Sequence, residues 1–171
     1  MCSSDETSES CPADCSGKEL GTTYDFNLGS SSVIFTVNAL RDVFITSLAI
    51  NAMARGNGRV MVYTRDGEYS NAESSSDGWT LVYDKTVFHQ PRGLVTELGE
   101  FNSGVFIGAG TSKSFYIEST KKLVYKSGTE ELAPYSSDGV LAILEGIGLN
   151  NNFTGPVYTP RVWSGKIRQV E

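Results

Sequence analysis

VFITSLAINAMARGNGRVMVYTRDG, residues 43–67, decides the fold of this chain. Its first run, VFITSLAIN, is apolar and β-branched, the composition of a strand buried on both faces. Its second run, residues 59–65, alternates: Val60, Val62 and Thr64 take one face, Met61, Tyr63 and Arg65 the other. Between them Ala54-Arg55-Gly56-Asn57-Gly58 supplies residues that tolerate positive φ, so the two runs read as a β-hairpin at the middle of a sheet sandwich. Asp66-Gly67 suits a tight turn and ends the second strand.

The same reading extends outward. Tyr24, Phe26 and Leu28 alternate and form a first short strand, Ser30-Ser31-Ser32 is a loop, and VIFTVN at 33–38 is the next strand. Past Gly67 a polar loop, EYSNAESSSDG, leads to the strand WTLVYDKTV at 79–87. Short strands follow at 94–98, 105–107 and 114–119, where Thr120-Lys121 turns the chain back into Leu123-Val124-Tyr125. GVLAILE at 139–145 is a further strand, 146–156 a Gly/Asn-rich loop, and 161–168 the last strand, with Gly165 a bulge or close-approach site. No segment sustains a 3.6-residue period with caps. About nine short strands at regular spacing, with 18 glycines, predict an all-β, antiparallel, jelly-roll-like β-sandwich.

With 171 residues the chain accommodates one domain, expected over 20–171, preceded by a tail or linker over 1–19. That tail is Ser-rich, and Asp5, Glu6, Glu9, Asp14 and Glu19 stand against Lys18 alone. With so little apolar surface it has nothing to offset its ordering entropy. The net charge of −6 argues against nucleic-acid binding, which needs a basic face, and no apolar run reaches the roughly 20 residues of a membrane helix. Cys2, Cys11 and Cys15, the three cysteines, all lie in the tail. They lack the fourth ligand of a zinc site, so the expectation is no metal, no cofactor and a disulfide between two of them, which belongs to an oxidising compartment. Met1 is followed by polar, acidic residues rather than by a signal sequence. The chain is then either a piece of an exported protein or a cytoplasmic one with reduced thiols.

VFITSLAI at 43–50, VMVYTRDGEY at 60–69, DGWTLV at 77–82, KSFYIES at 113–119, LVYKSG at 123–128, LAILEGIG at 141–148 and PRVWSGKI at 160–167 occur in an order that resembles a known module. CSGKEL at 15–20 fits its opening. It is a β-sandwich module that recurs in exported bacterial proteins with sorting tails and in secreted, multi-domain diatom proteins. The resemblance implies export and a surface or matrix setting beside other modules. It carries no established activity and no binding residues. The module usually has a longer Gly/Asn-rich segment where this chain runs from Tyr24 to Val33; a ligand loop housed there would be lost.

Arg161 and Trp163, two apart on one strand, share a face. A Trp face beside a guanidinium is a platform for a sugar ring, and a core Trp capped by a stacking Arg is the alternative. Trp79 either anchors the core or rims a site built by the loop before it. Tyr63, Tyr69 and Tyr83 either line a concave face, with Tyr69 as a ligand contact, or form ordinary cross-strand pairs. Asp66, Asp77 and Asp138 each sit next to a glycine and first mark turns; only as a poor second do they suggest calcium, which needs several converging oxygens. Catalysis would rest on His89, the one histidine, which sits in a Pro-containing turn without a nucleophile motif. Asn152-Phe153-Thr154 is a glycosylation sequon at Asn152. The expected function is therefore non-catalytic: an extracellular or cell-surface module binding glycan or matrix polymer. The alternatives are a structural module that pairs with itself or its neighbours and, third, a small hydrolase.

Overall fold

A computed structural model describes residues 17–171, so the tail cysteines and their pairing lie outside the described residues. Among the described residues there are thirteen strands: β1 (Lys18–Gly21), β2 (Leu28–Ala39), β3 (Val43–Ile50), β4 (Gly56–Asp66), β5 (Thr80–His89), β6 (Thr96–Glu97), β7 (Val105–Ile107), β8 (Ser112–Ser127), β9 (Pro134–Ser137), β10 (Leu141–Leu144), β11 (Gly146–Asn151), β12 (Thr154–Trp163) and β13 (Gly165–Val170). They form an antiparallel β-sandwich. The smaller sheet holds β1, β13, β3, β6 and β7; the larger holds the other eight. The connections cross repeatedly between the sheets in a jelly-roll-like manner. No helix of the described residues is long and apolar enough to cross a membrane.

The core lies between the sheets. Val33, Phe35 and Val37 of β2, Ile45, Leu48 and Ile50 of β3, Val60 and Val62 of β4, and Phe115 and Ile117 of β8 meet there, each almost wholly buried. The alternation predicted for 59–65 is present, with Val60, Val62 and Thr64 inward.

The predicted hairpin is not. β3 pairs with β13 on one edge and with β6 and β7 on the other, so neither edge is left for β4. β4 pairs with β5 and β8 in the opposite sheet. Residues 51–55 therefore form an arch across the sandwich. Asn51 fastens it: its side-chain amide donates to the Tyr24 carbonyl (3.2 Å) and Ser164 Oγ (3.0 Å), and its Oδ1 accepts the Gly93 N–H (2.9 Å). Such long-range bonds have no signature in local sequence.

Five further expectations are corrected. Ser30-Ser31-Ser32 is strand, because β2 runs unbroken from Leu28 to Ala39 and the buried hydroxyls of Ser30 and Ser32 are hydrogen-bonded. Residues 120–122 do not reverse the chain. β8 continues through them against β2, with the irregularity taken up at Lys122, which has φ 57°. The Gly/Asn-rich stretch after Gly146 is a hairpin of β11 and β12 rather than a loop. Lys18 and Glu19, placed in the tail by composition, belong to β1 and pair with β13. Tyr24 and Phe26 lie in the connection between β1 and β2 rather than in a strand.

The edges of the sheets are poor templates for further strands. β1, β6, β7 and β9 are two to four residues long, and β9 begins with Pro134. β5 is longer, but Lys85 occupies an inward position between Tyr83 and Val87, and the β4–β5 register breaks beside Val62. Short edges, inward charges and bulges discourage edge-to-edge pairing.

Candidate functional site

β4 and β8 both run out of apolar residues in the same place. Inward positions on β4 read Val60, Val62, Thr64, Asp66; those on β8, toward its start, read Ile117, Phe115, Lys113. Asp66 and Lys113 are register partners, and Lys113 Nζ lies 2.7 Å from Asp66 Oδ1. The Lys113 side chain is only 18% exposed while that of Asp66 is 93% exposed, so the ammonium sits at the mouth of the sandwich with the carboxylate in front of it. The ammonium holds the Asp66 carboxyl below the usual carboxylate range. A charged pair in the phase of the core adds no apolar burial, and it lines an open cleft.

That cleft, of about 590 Å³, lies where the two sheets part. One wall is Thr64, Thr80 and Val82 with the Asp66–Lys113 pair. The other is the β7 segment, Ser103 to Gly108. The volume is within the range of small-ligand sites. Val105 and Ile107 point into the core, so Phe106 points away from it and is half exposed. Its ring meets that of Phe44, also exposed, at 5.0 Å between centroids. The two walls thus offer hydroxyls, one ion pair and apolar side chains, and the Phe106–Phe44 pair lies on the outer side of β7. The chain matches no protein-family model and no curated protein.

The residues singled out in the sequence lie elsewhere. Trp163 is 3% exposed and stacks on Phe35 inside the core, so its ring offers no face to a ligand. Arg161 lies over the Tyr125 ring at 5.3 Å and near Tyr158 at 5.9 Å. The pair adopts the arrangement of a core Trp with a stacking Arg nearby, not that of a platform. Tyr69 and Trp79 do come together, on the outer face of the larger sheet, in a second cluster with Tyr63, Tyr116 and Phe153. There Tyr69 is buried and its hydroxyl donates to Glu131 Oε1 (2.8 Å). Trp79 Nε1 donates to the Ala72 carbonyl (3.0 Å), and Arg65 lies 5.6 Å from the ring. These contacts hold residues 67–79 against the sheet. Tyr83 packs in the main core, on the other side of the sheet from Tyr63.

Tyr116 is the hub of the outer cluster. Its hydroxyl donates to Ser32 Oγ (2.8 Å) and accepts the Phe153 N–H (3.2 Å), and burial pushes its pKa up to about 12. Asn152, the sequon residue, is exposed at the β11–β12 turn. Asp138 accepts the N–H groups of Val140 and Leu141, a turn-stabilising role. Among the described residues no three His, Cys, Asp or Glu side chains converge as a metal site would require.

His89 is wholly buried. Nδ1–H points to the Gly56 carbonyl (3.3 Å), and Nε2 accepts from Ser119 Oγ (2.9 Å), which itself accepts the Lys121 N–H (3.1 Å). Histidine and serine are thus adjacent, but both are sealed inside the sandwich and neither lines the cleft. The cleft residues were missed because its two walls come from segments of β4, β5, β7 and β8 that are separate in sequence. The available signal was the intrusion of Asp66 and Lys113 into the core phase of their strands.

Proposed function

We propose that this chain is a non-catalytic recognition module of an exported or cell-surface protein, and that it binds glycan or matrix polymer at the cleft between β7 and the β4–β5 pair. The observation that carries this reading is the composition of the cleft walls and rim: threonine hydroxyls, an ion pair and the apolar side chains of Val82, Val105 and Ile107 within, and the exposed Phe106 ring on the outer side of β7. Sugars present both hydroxyls and apolar ring faces, and such a lining matches both.

Among the described residues the cleft wall holds a single carboxylate, Asp66, already engaged by Lys113. Glycoside hydrolysis ordinarily takes two carboxyl groups. The buried His89–Ser119 pair has no access to a substrate. Both facts favour binding over turnover. The assembly reading has the exposed Leu81 and Phe88 on β5 in its favour, but Lys85 and the short remaining edges count against it.

The test is retention of the purified chain on a panel of insoluble polysaccharides, with Phe106→Ala and Trp79→Ala alongside. The expected result is retention that Phe106→Ala abolishes and Trp79→Ala leaves intact, circular dichroism being unchanged for Phe106→Ala. Absence of retention on every polymer, together with a mass that grows with concentration in light scattering, would replace this reading with assembly.

A further inference from the structure

Resting on the recognition reading above, we infer that the site takes an internal stretch of a neutral polysaccharide, seated in the cleft and continuing over the Phe106–Phe44 pair outside it. Two independent features lead there.

The first is charge. The only cation of the cleft wall among the described residues, Lys113, is capped by Asp66, and the pair cancels. An anionic sugar would have to displace Asp66 to reach the ammonium and would meet its carboxylate on approach. The body of the protein adds no attraction, since residues 17–171 carry 14 basic and 16 acidic side chains. Uronate and sulfated polymers are therefore disfavoured, and hydroxyl-rich neutral ones are not.

The second is extent. The β7 wall is built on the strand Val105–Ile107, which at about 3.3 Å per residue is about 10 Å long and is extended at both ends by Gly104 and Gly108, longer than a single sugar ring. Phe106 belongs to the cleft wall and also contacts Phe44, which does not line the cleft. The two rings are tilted by 48° and half exposed, which makes a stepped apolar surface leading out of the cleft on the outer face of the smaller sheet. Phe44 and Phe106 are register partners on adjacent strands, so the strand pairing itself fixes their spacing. A chain end bound in a closed pit would not need this surface; a chain passing through would use it.

The experiment is calorimetric titration of the purified chain with soluble neutral β-glucan, galactomannan and polygalacturonate, and with glucan and mannan oligosaccharides from the monosaccharide to the hexasaccharide. Phe44→Ala, Phe106→Ala and Lys113→Met are run beside the parent chain. Phe44 and Phe106 are exposed, so their truncation leaves the fold intact by circular dichroism. The expected outcome is binding to a neutral polymer and not to polygalacturonate. Affinity should rise with oligosaccharide length, and Phe44→Ala should weaken polymer binding about tenfold while leaving the shortest binding oligosaccharide unaffected. Preference for polygalacturonate, or a monosaccharide bound as tightly as the hexasaccharide, or polymer binding untouched by Phe44→Ala, would overturn this inference and leave the recognition reading standing. No binding to any polymer or oligosaccharide would overturn both.

Discussion

The rings of Phe35 and Trp163 lie parallel, 4.3 Å between centroids and 7° between planes, at the point where the chain leaves the larger sheet for the smaller. Phe35 stacks in turn on Phe115 at 5.6 Å. Trp163 is the last residue of β12 and Gly165 the first of β13, so the indole fills the corner around which the chain turns. Trp163→Ala should cost about 3–5 kcal/mol, the range for deleting a large buried aromatic. Urea denaturation is the check. Trp163→Phe should cost clearly less, because Nε1 has no partner among the described residues and no hydrogen bond is lost. A small loss for Trp163→Ala would mean that the indole lies outside the core.

Two glycines that open strands, Gly146 of β11 and Gly165 of β13, should tolerate nothing larger. A Cβ on Gly146 would run into the Ile34 carbonyl, and one on Gly165 into the Trp163 ring with the Ala49 carbonyl behind it. Backbone cannot give way as a flexible side-chain end can. Gly146→Ala should therefore destabilise by more than about 3 kcal/mol or prevent folding. Gly67→Ala meets no atom within 4 Å and carries only the cost of its φ of 76°, about 1–2 kcal/mol. Comparing the two urea midpoints separates a packing cost from a conformational one. Equal losses would show that the close approach at Gly146 does not exist.

These positions show what the sequence could and could not disclose. The sheet class was legible because alternation is local: Val60, Val62 and Thr64 announce their shared face with no help from elsewhere. The pairing was not. Whether 43–50 joins 59–65 or crosses the sandwich depends on Asn51 finding Tyr24, Gly93 and Ser164, which are distant in the chain. Serines 30–32 misled because their composition is that of a loop, while burial with hydrogen-bonded hydroxyls makes them strand. For the site, aromaticity was the wrong guide. Trp163 and Tyr69 are aromatic because they are core, whereas the cleft is marked by Asp66 and Lys113 standing where apolar residues belong.

Glu118 should make the protein less stable as the pH rises. It lies on the outer face of β8 opposite Met61, with Oε2 buried and without a partner among the described residues. Burial raises its pKa above the ordinary 4.5, against a weaker opposing pull from Arg59. For a raised carboxyl, stability is fully present below the unfolded-state value and declines as the pH climbs through the folded-state value. Glu118→Gln removes the charge without changing the shape. It should be more stable than the parent at pH 7, on the order of 1 kcal/mol, and lose that advantage at pH 4. Denaturation at both values decides it. An advantage independent of pH would assign the effect to packing.

His89 should give the opposite dependence. Its imidazole is wholly buried, and loss of hydration holds its pKa below the usual 6.5, with the Lys121 charge pushing weakly the same way and the Gly56 and Val87 backbone opposing. As the pH falls below 6.5, the unfolded chain takes up the proton first. The stability supplied by the neutral ring is thus complete above 6.5 and drains away as the pH drops through the folded-state value, by at most about 1.4 kcal/mol per pH unit. The neutral ring also holds Ser119, whose oxygen receives the Lys121 N–H at the irregularity of β8, so protonation disturbs that segment directly. His89→Gln should lose about 1–2 kcal/mol at pH 7.5 through its broken hydrogen bonds. Between pH 7 and 5.5 its stability should fall less steeply than that of the parent. Parallel slopes for the two proteins would show that His89 titrates in the folded chain as it does in the unfolded one.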